Sequence, residues 1–167
     1  MSDVDILTVH SEVQVAEVRA LFLEYAETLG VDLCFQGFDH EVASLPGDYA
    51  PPAGALFLAT RHPLAVGCVG IRALTDTEAE LKRLYVRPQA RGTGLGRRLA
   101  NEAIRTARRI GYTLLRLDTL PSMHEARALY KGLGFHETPS YRPNPVAGTT
   151  YLALDLTVRP PPSSGAG

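Results

Sequence analysis

Hydrophobic residues recur along the chain at two spacings, one typical of strands and the other of helices. Short apolar runs bounded by Gly, Pro or polar residues predict strands. These runs occupy residues 4–9, 54–60, 63–74, 78–86, 112–119 and 149–156. Apolar residues three or four positions apart predict amphipathic helices instead. Such stripes occupy residues 12–29, 38–45, 94–110 and 123–133.

The order of these elements is strand, two helices, three strands, helix, strand, helix, a weak strand and a final strand. This order predicts a mixed sheet with helices on both faces, in the α/β or α+β class. Ser11 and Gln14 form a capping box at the start of the first helix, and Gly30 ends it. Ser122 and Glu125 predict a similar cap on the last helix.

Length and composition predict one domain over residues 1–157 and a disordered Pro/Ser/Gly tail over 158–167. No apolar run approaches the roughly 18 residues of a membrane span, and the first residues lack a secretory signal pattern. Cys34 and Cys68 have neither redox nor zinc spacing, and the five histidines are scattered singly. We therefore expect a cytoplasmic protein with reduced thiols, no membrane association and no metal site.

The net charge of −1 hides a marked asymmetry along the chain. Residues 1–50 contain ten acids and one base, whereas residues 80–109 contain nine bases and two acids. Tyr85 is the one aromatic residue among these bases and the pI is about 6.5, so nucleic-acid binding is not expected.

The densest part of the basic segment is "RGTGLGRR" (residues 91–98), which has three glycines at alternate positions and three arginines. It follows a predicted strand and opens a predicted helix. Free backbone N–H groups and the positive end of the helix dipole make such a loop an anion-binding device. A nucleotide P-loop would need Gly-Lys-Ser/Thr, which is absent here. A dinucleotide fingerprint would need different glycine spacing and a ribose-binding acid, for which Asp118 is a poor candidate.

Two segments resemble the GNAT N-acetyltransferase family. "LKRLYVRPQARGTGLGRRLANEAI" (residues 81–104) is similar to the family's central motif, in which Arg91, Gly94 and Gly96 match the R/Q-x-x-G-x-G/A pattern. "ARALYKGLGF" (residues 126–135) is similar to its later helix. The resemblance implies a single-domain, mostly antiparallel sheet with a central splay between two parallel strands. It also implies that the loop holds the pyrophosphate of acetyl-CoA.

The resemblance further implies that acetyl-CoA lies along the end of the strand before the loop, where a backbone N–H near Leu84 would polarise the thioester carbonyl. A family Asn that contacts coenzyme A falls here at Met123 or Ser122, which puts that contact in doubt. The implied cofactor-binding residues are Leu84, Tyr85, Val86, Arg91, Gly92, Thr93, Gly94, Leu95, Gly96 and Arg97.

Two residues are candidates for acid–base catalysis. Tyr130 matches the family tyrosine that protonates the departing thiolate, although its helical stripe also suits a core tyrosine. Glu80 is the candidate general base, on the condition that burial raises its pKa, because an ordinary glutamate near pKa 4.3 is a weak base. Glu41 and His40 are second choices for the base, and Asp118 is a third.

The expected reaction moves an acetyl group from acetyl-CoA to a primary amine of a small molecule or amino acid by direct attack on the thioester. Segments 34–38 and 141–145 carry aromatic and polar residues suited to the acceptor pocket. The acidic N-terminal half would also suit a cationic amine. Two alternatives remain open, namely a peptide or protein N-acetyltransferase and a non-catalytic acetyl-CoA sensor, and a homodimer is left open too.

Overall fold

A computed structural model describes residues 3–30, 33, 37–143 and 146–158. Seven strands form one sheet: β1 (Asp5–Thr8), β2 (Ala55–Arg61), β3 (Leu64–Ala73), β4 (Glu78–Val86), β5 (Leu114–Thr119), β6 (His136–Thr138) and β7 (Thr150–Asp155). Four helices flank it: α1 (Glu12–Leu29), α2 (Phe38–Ala43), α3 (Leu95–Ile110) and α4 (His124–Gly132). Short 3-10 turns occupy Gly47–Tyr49 and Pro88–Ala90.

The strand order across the sheet is β1-β2-β3-β4-β5-β7-β6. Every neighbouring pair is antiparallel except β4 and β5, which are parallel. The prediction of a mostly antiparallel sheet with one parallel pair is therefore confirmed. The weak strand expected before the last one is β6.

The parallel pair is short. β4 and β5 pair only at residues 78–80 with 114–116, so the remaining residues of these two strands do not pair with each other. Beyond this point β4 contains a β-bulge, because Arg83 and Leu84 together oppose Val69 of β3. Arg83 is the only non-glycine residue with positive φ (60°) in the described part of the chain. A bulge bends its strand and increases its twist, so it carries the end of β4 away from β5.

Two apolar clusters cover the two faces of the sheet, as the predicted helix placement requires. One packs α3 and Tyr130 of α4 against residues such as Leu81 and Leu117. The other packs α1 and α2 against the opposite face and includes Cys68 and Tyr85. Because neighbours on β4 alternate between the clusters, the strand presents different chemistry to each face. Cys68 is fully buried, and its thiol donates to the carbonyl oxygen of Arg83 at the bulge (3.5 Å).

The ends of α1 follow the predicted capping signals. The Ser11 hydroxyl accepts from the backbone N–H of Gln14 (3.2 Å), and the Gln14 side chain accepts from that of Ser11 (3.0 Å). Gly30 ends the helix with φ 66°.

The predicted cap of α4 is wrong. Met123, not Ser122, is the N-cap, and no side-chain hydrogen bond caps the helix. The reason is a turn in which the Met123 N–H donates to the carbonyl of Leu120 (3.0 Å), which delays the helix by one residue.

Some sequence predictions lie outside the described residues. These are Cys34 with most of segment 34–38, residues 144–145, and the tail beyond Val158. Within the described ranges, none of the helices combines the length and apolar character needed to cross a bilayer.

Candidate active site

A cavity of about 540 Å³ opens where β4 and β5 separate. Its walls are the C-terminal turns of α1, the second half of β4, the glycine loop with the start of α3, the end of β5 and the N-terminal half of α4. Eight of the ten predicted cofactor-binding residues line it: Leu84, Tyr85, Val86, Arg91, Gly92, Gly94, Leu95 and Gly96. Tyr130 and Asp118 line it as well.

Five predicted residues do not line this cavity: Thr93, Arg97, Glu80, Glu41 and His40. Thr93 instead donates its hydroxyl to the carbonyl of Ala90 (2.8 Å) and so stabilises the preceding turn. His40 is exposed on α2. More of the predicted cofactor-binding residues than of the predicted base candidates therefore line the cavity.

The glycine loop has the open backbone that an anion requires. Gly92 and Gly94 have φ values of 78° and 81°, and a Cβ at either position would meet no atom within 4 Å. Gly94 is the N-cap of α3 and provides no side-chain cap, so the first N–H groups of the helix lack partners within it. These groups and the two open glycines form a cradle that side chains at positions 92 and 94 would fill.

Arginines around the loop hold its flanks in place. Arg91 donates from Nε to the carbonyl of Val86 (2.9 Å) and lies over the ring of Tyr85 (5.9 Å to the centroid). Arg87 pairs with Glu24 of α1 (2.9 Å), and Arg98 donates to the carbonyl of Val4 (2.9 Å). Part of the basic segment is thus structural, because it ties α1 and the chain before β1 to the cavity walls.

Tyr130 is buried between the cavity and the core, with 5% of its surface exposed. Its ring packs edge-on against Phe135, with centroids 5.4 Å apart. Burial raises the pKa of the Tyr130 phenol well above its ordinary value, and the nearby charge of Asp118 acts in the same direction. The hydroxyl therefore keeps its proton near neutral pH and can serve as a hydrogen-bond or proton donor.

Glu80 does not meet the condition set for a general base. It is completely buried and pairs with Arg72 (3.1 Å), Arg142 (2.5 Å) and Lys82 (3.9 Å), and Tyr141 donates to it (2.6 Å). Burial alone would raise its pKa, but the charges of Lys82, Arg142 and Arg72 together outweigh it, so the net pKa lies below the ordinary value. A carboxylate held in this way accepts a proton less readily than an exposed glutamate.

Glu41 is engaged in the same manner. Its carboxylate accepts two hydrogen bonds from the Arg83 guanidinium (2.9 and 3.1 Å) and one from the Tyr49 hydroxyl (3.0 Å). Burial opposes its ionisation, yet the Arg83 hydrogen bond and charge bring its pKa below the ordinary value. Glu41 thus ties α2 to β4 and lies outside the cavity lining, which argues against its use as the base.

Lys82 is a cavity residue that the sequence analysis did not single out. Its side chain is 3% exposed and lines the cavity beside Arg83. Burial, together with the charge of Arg83, lowers the pKa of Lys82 to about 8 against the opposing effects of Glu80 and Asp118. The sequence feature that could have indicated Lys82 is its position. Leu81 and Lys82 are neighbours on a buried strand and point to opposite faces of the sheet, so a lysine here is buried beside the cavity.

Replacing Glu80 by Gln is expected to destabilise the fold by about 3–5 kcal/mol at pH 7, because Arg72, Arg142 and Lys82 lose a buried counter-charge. Glu102→Gln removes an exposed pair with Arg105 and should cost below about 1 kcal/mol. Urea denaturation of both variants measures this difference.

The same experiment has a defined pH dependence. Because the folded pKa of Glu80 is lowered, its stabilisation is present above the unfolded value of 4.5 and is lost as the pH falls through the folded value. The stability gap between wild type and Glu80→Gln should therefore narrow below about pH 4.5. A gap that is constant down to pH 3 would show that Glu80 is not held as a stabilised carboxylate.

No group of three or more His, Cys, Asp or Glu side chains lies together in a metal-binding arrangement among the residues that the structure describes.

Comparison with known proteins agrees with this geometry. The model of the family described as "Acetyltransferase (GNAT) family" matches residues 18–135. An uncharacterized N-acetyltransferase of Schizosaccharomyces pombe is 36% identical over 158 residues, which cover 93% of this chain and 97% of that protein.

Solved structures share the fold. An acetyltransferase from Streptococcus agalactiae matches with a TM-score of 0.76 at 18% identity, over 93% of this chain and 99% of that one. A Salmonella typhimurium protein solved with its cofactor acetyl-CoA matches with a TM-score of 0.70 at 18% identity, over 98% and 99%. Because the family model spans most of the chain and the S. pombe relative aligns along nearly all of it, the chain belongs to the GNAT acetyltransferase family and is an acetyl-CoA-dependent N-acetyltransferase.

Proposed function

We propose that this enzyme transfers the acetyl group of acetyl-CoA to the primary amine of a small molecule or amino acid, by direct attack of the amine on the thioester. The observation that carries the acceptor class is the way in which two segments on the α2 side of the sheet are tied to β4. Glu41 of α2 forms a bidentate pair with Arg83, and Arg142 and Tyr141 both bind Glu80.

These ties favour a shaped pocket over an open groove. Segments 37–43 and 139–143 overlap the segments predicted for the acceptor pocket, and each is fixed to a buried residue of β4, although none of their residues lines the cavity. A peptide acceptor needs a continuous groove through which its chain can leave, whereas a small amine needs a bounded pocket. Lys82 and Arg83 on the cavity wall also disfavour a polycationic acceptor and suit one that carries a carboxylate.

The cofactor side fits the pyrophosphate of acetyl-CoA. Gly92 and Gly94 leave room for phosphate oxygens against the backbone, and the N-terminus of α3 adds the positive end of its dipole. Arg91 lies beside them, although its side chain also binds the carbonyl of Val86. Pantetheine would then follow the end of β4, where the N–H of Leu84 would polarise the thioester carbonyl.

Tyr130 is the proposed acid in this reaction. It lines the same cavity as Leu84 and keeps its proton because burial raises its pKa. A phenol at this place would protonate the departing thiolate or hold it by a hydrogen bond.

Replacing Gly94 by Val should abolish coenzyme A binding without unfolding the protein, because the new side chain would project into the open cradle. Gly111→Val is a matched control. Gly111 is the other left-handed cap of α3 (φ 114°), also with nothing within 4 Å of a Cβ, and lies outside the cavity lining. Both variants bear a similar backbone strain of about 1–3 kcal/mol. Calorimetric titration with coenzyme A should lose its signal only for Gly94→Val, and equal affinities would remove the loop from the cofactor site.

Tyr130→Phe should lower kcat by about 10²-fold or more while leaving the affinity for acetyl-CoA nearly unchanged. The ring and its packing against Phe135 are kept, so only the hydroxyl is lost. Tyr112→Phe removes a hydroxyl that donates to Ala53 (2.6 Å) outside this cavity, and should leave kcat near the wild-type value. If kcat is the same in Tyr130→Phe as in wild type, Tyr130 has no part in the chemistry.

The acceptor class is tested by a panel of amino acids, simple amines, polyamines and short peptides with free N-termini. Release of coenzyme A thiol is measured with acetyl-CoA present. We expect the highest kcat/KM with a small amine, above all one with a carboxylate. Acetylation of peptides alone would overturn the proposed acceptor class, and the absence of turnover with every amine, despite tight acetyl-CoA binding, would favour a sensor.

A further inference from the structure

We infer that Lys82 is the general base of this enzyme and accepts the proton that the acceptor ammonium must lose before it attacks acetyl-CoA. This inference rests on the amine acetylation proposed above and goes beyond it, because it names a catalytic group for that step. It also replaces the carboxylates, Glu80 and Glu41, that the structure places outside the cavity lining.

The position of Lys82 follows from the strand register. The last paired residues of β4 and β5 are Glu80 and Arg116, so Lys82 and Asp118 each lie two residues further, where the strands separate. Both line the cavity. The lysine therefore stands at the base of the opening, two residues before Leu84, whose N–H is the proposed contact of the thioester carbonyl.

Lys82 and Tyr130 approach this opening from opposite faces of the sheet. Tyr130 packs in the α3-side cluster together with Leu81, the neighbour of Lys82 on β4. Lys82 alternates with Leu81 and contacts Glu80, whose partners Arg72 and Arg142 lie on the α2 side. An acceptor can thus lose its proton on one face while the thiolate leaves toward the proton donor on the other.

The residue type supports a proton-accepting role. The chain contains 17 basic residues, and only Lys82 and Lys131 are lysines. An arginine at position 82 could supply charge but could never release its proton, whereas a buried lysine can. Its low exposure places this exchangeable proton inside the cavity and away from bulk water.

Charged groups from each neighbouring element set the proton affinity of Lys82. Arg83 on β4 and Arg72 on β3 disfavour the ammonium form of Lys82. Glu80 on β4 and Asp118 on β5 favour it. Glu41 on α2 is charge-coupled to Lys82, and Arg142 reaches the cluster through Glu80. Burial dominates this balance and brings the pKa of Lys82 to about 8, so a usable fraction of the amine is neutral near pH 7.

The proton balance of the step is complete. Neutral Lys82 takes one proton from the acceptor ammonium and becomes an ammonium itself. The freed amine nitrogen bonds to the thioester carbonyl carbon, and the carbon–sulfur bond breaks as the tetrahedral adduct collapses. The sulfur takes the Tyr130 proton, the phenolate takes the second proton of the nitrogen, and Lys82 returns its proton to solvent. The products are the acetamide, coenzyme A thiol and one released proton.

A lysine of this kind is a better base than either carboxylate for such an acceptor. An aliphatic ammonium near pKa 10.4 gives its proton to a base of pKa about 8 with an unfavourable factor of roughly 250, against roughly 10⁶ for an ordinary glutamate. For an α-amino group near 7.8 the transfer is nearly balanced.

The first test is direct titration of the two lysines by NMR. Protein labelled with ¹³C at lysine Cε gives two signals, and the spectrum of Lys131→Met assigns them. Lys131 is exposed, and the remaining signal, that of Lys82, should titrate near 8. This readout needs no acceptor and is independent of the proposed function. A Lys82 midpoint at or above 10 overturns the inference.

The second test compares Lys82→Met and Lys82→Arg with the control Lys131→Met over pH 6–10. Both Lys82 variants should lose about 10²–10⁴-fold in kcat/KM near pH 7, and the loss should shrink as the pH approaches the pKa of the acceptor amine. Rescue by Lys82→Arg would show that the site needs only a positive charge and would overturn the inference, as would an unchanged pH profile. Acetyl-CoA affinity, measured alongside, should be unchanged in all three variants.

The two proposals fail in different ways. If the wild type acetylates only peptides, the acceptor class is wrong and the same pH comparison is made with the peptide amine. If small amines are acetylated but Lys82→Arg is as active as wild type, the acceptor class stands and the base is wrong.

Discussion

The separation of β4 from β5 is the constraint on which the rest of the site depends. Parallel pairing stops at Glu80 and Arg116, and the bulge at Arg83 turns the end of β4 away from its neighbour. Without this opening the sheet would contain no cavity, and the glycine loop would lie beside a continuous sheet surface. The unusual backbone at Arg83 is stabilised by its side chain, which is fixed between Glu41 and the ring of Phe38. Local strain is thus compensated by a buried ion pair, as is common where function requires an irregular strand.

The buried ions on the α2 side of the sheet serve geometry more than net stability. Replacing a buried ion pair by well-packed apolar residues is often neutral, whereas removing one partner is costly. In this protein the pairs connect α2 to β4 and the 139–143 segment to β4. They therefore hold these two segments in a fixed position on β4, the strand whose second half lines the cavity. This arrangement also explains why Glu80 and Glu41 are poor proton acceptors, since each is occupied by the cations it holds.

Much of the fold could be predicted from the sequence, because its elements follow local patterns. The nine residues of β4 and the capping box of α1 agree with the prediction, and the family resemblance is confirmed. The α4 cap failed because a turn centred on Leu120 and Met123 competes with the Ser122 signal, and neither residue is a recognised capping type. At the site, the glycine loop was recognisable from the sequence, because the backbone conformation of such a loop requires glycine residues. The state of Glu80 was not, because its pKa depends on Arg72 and Arg142, which are distant in sequence and meet it only in the folded sheet.

Cys68 shows how the fold protects its own chemistry. Its thiol lies in the core behind the bulge, where burial raises its pKa well above that of an ordinary cysteine. A thiolate in contact with a thioester would exchange acyl groups with it, because the two sulfurs are chemically equivalent as leaving groups. Keeping this sulfur protonated and sealed behind β4 makes it inert toward S-acetylation and toward mixed disulfides with coenzyme A. A thioester bound in the cavity would thus meet nitrogen nucleophiles, but it would not meet the sulfur of Cys68.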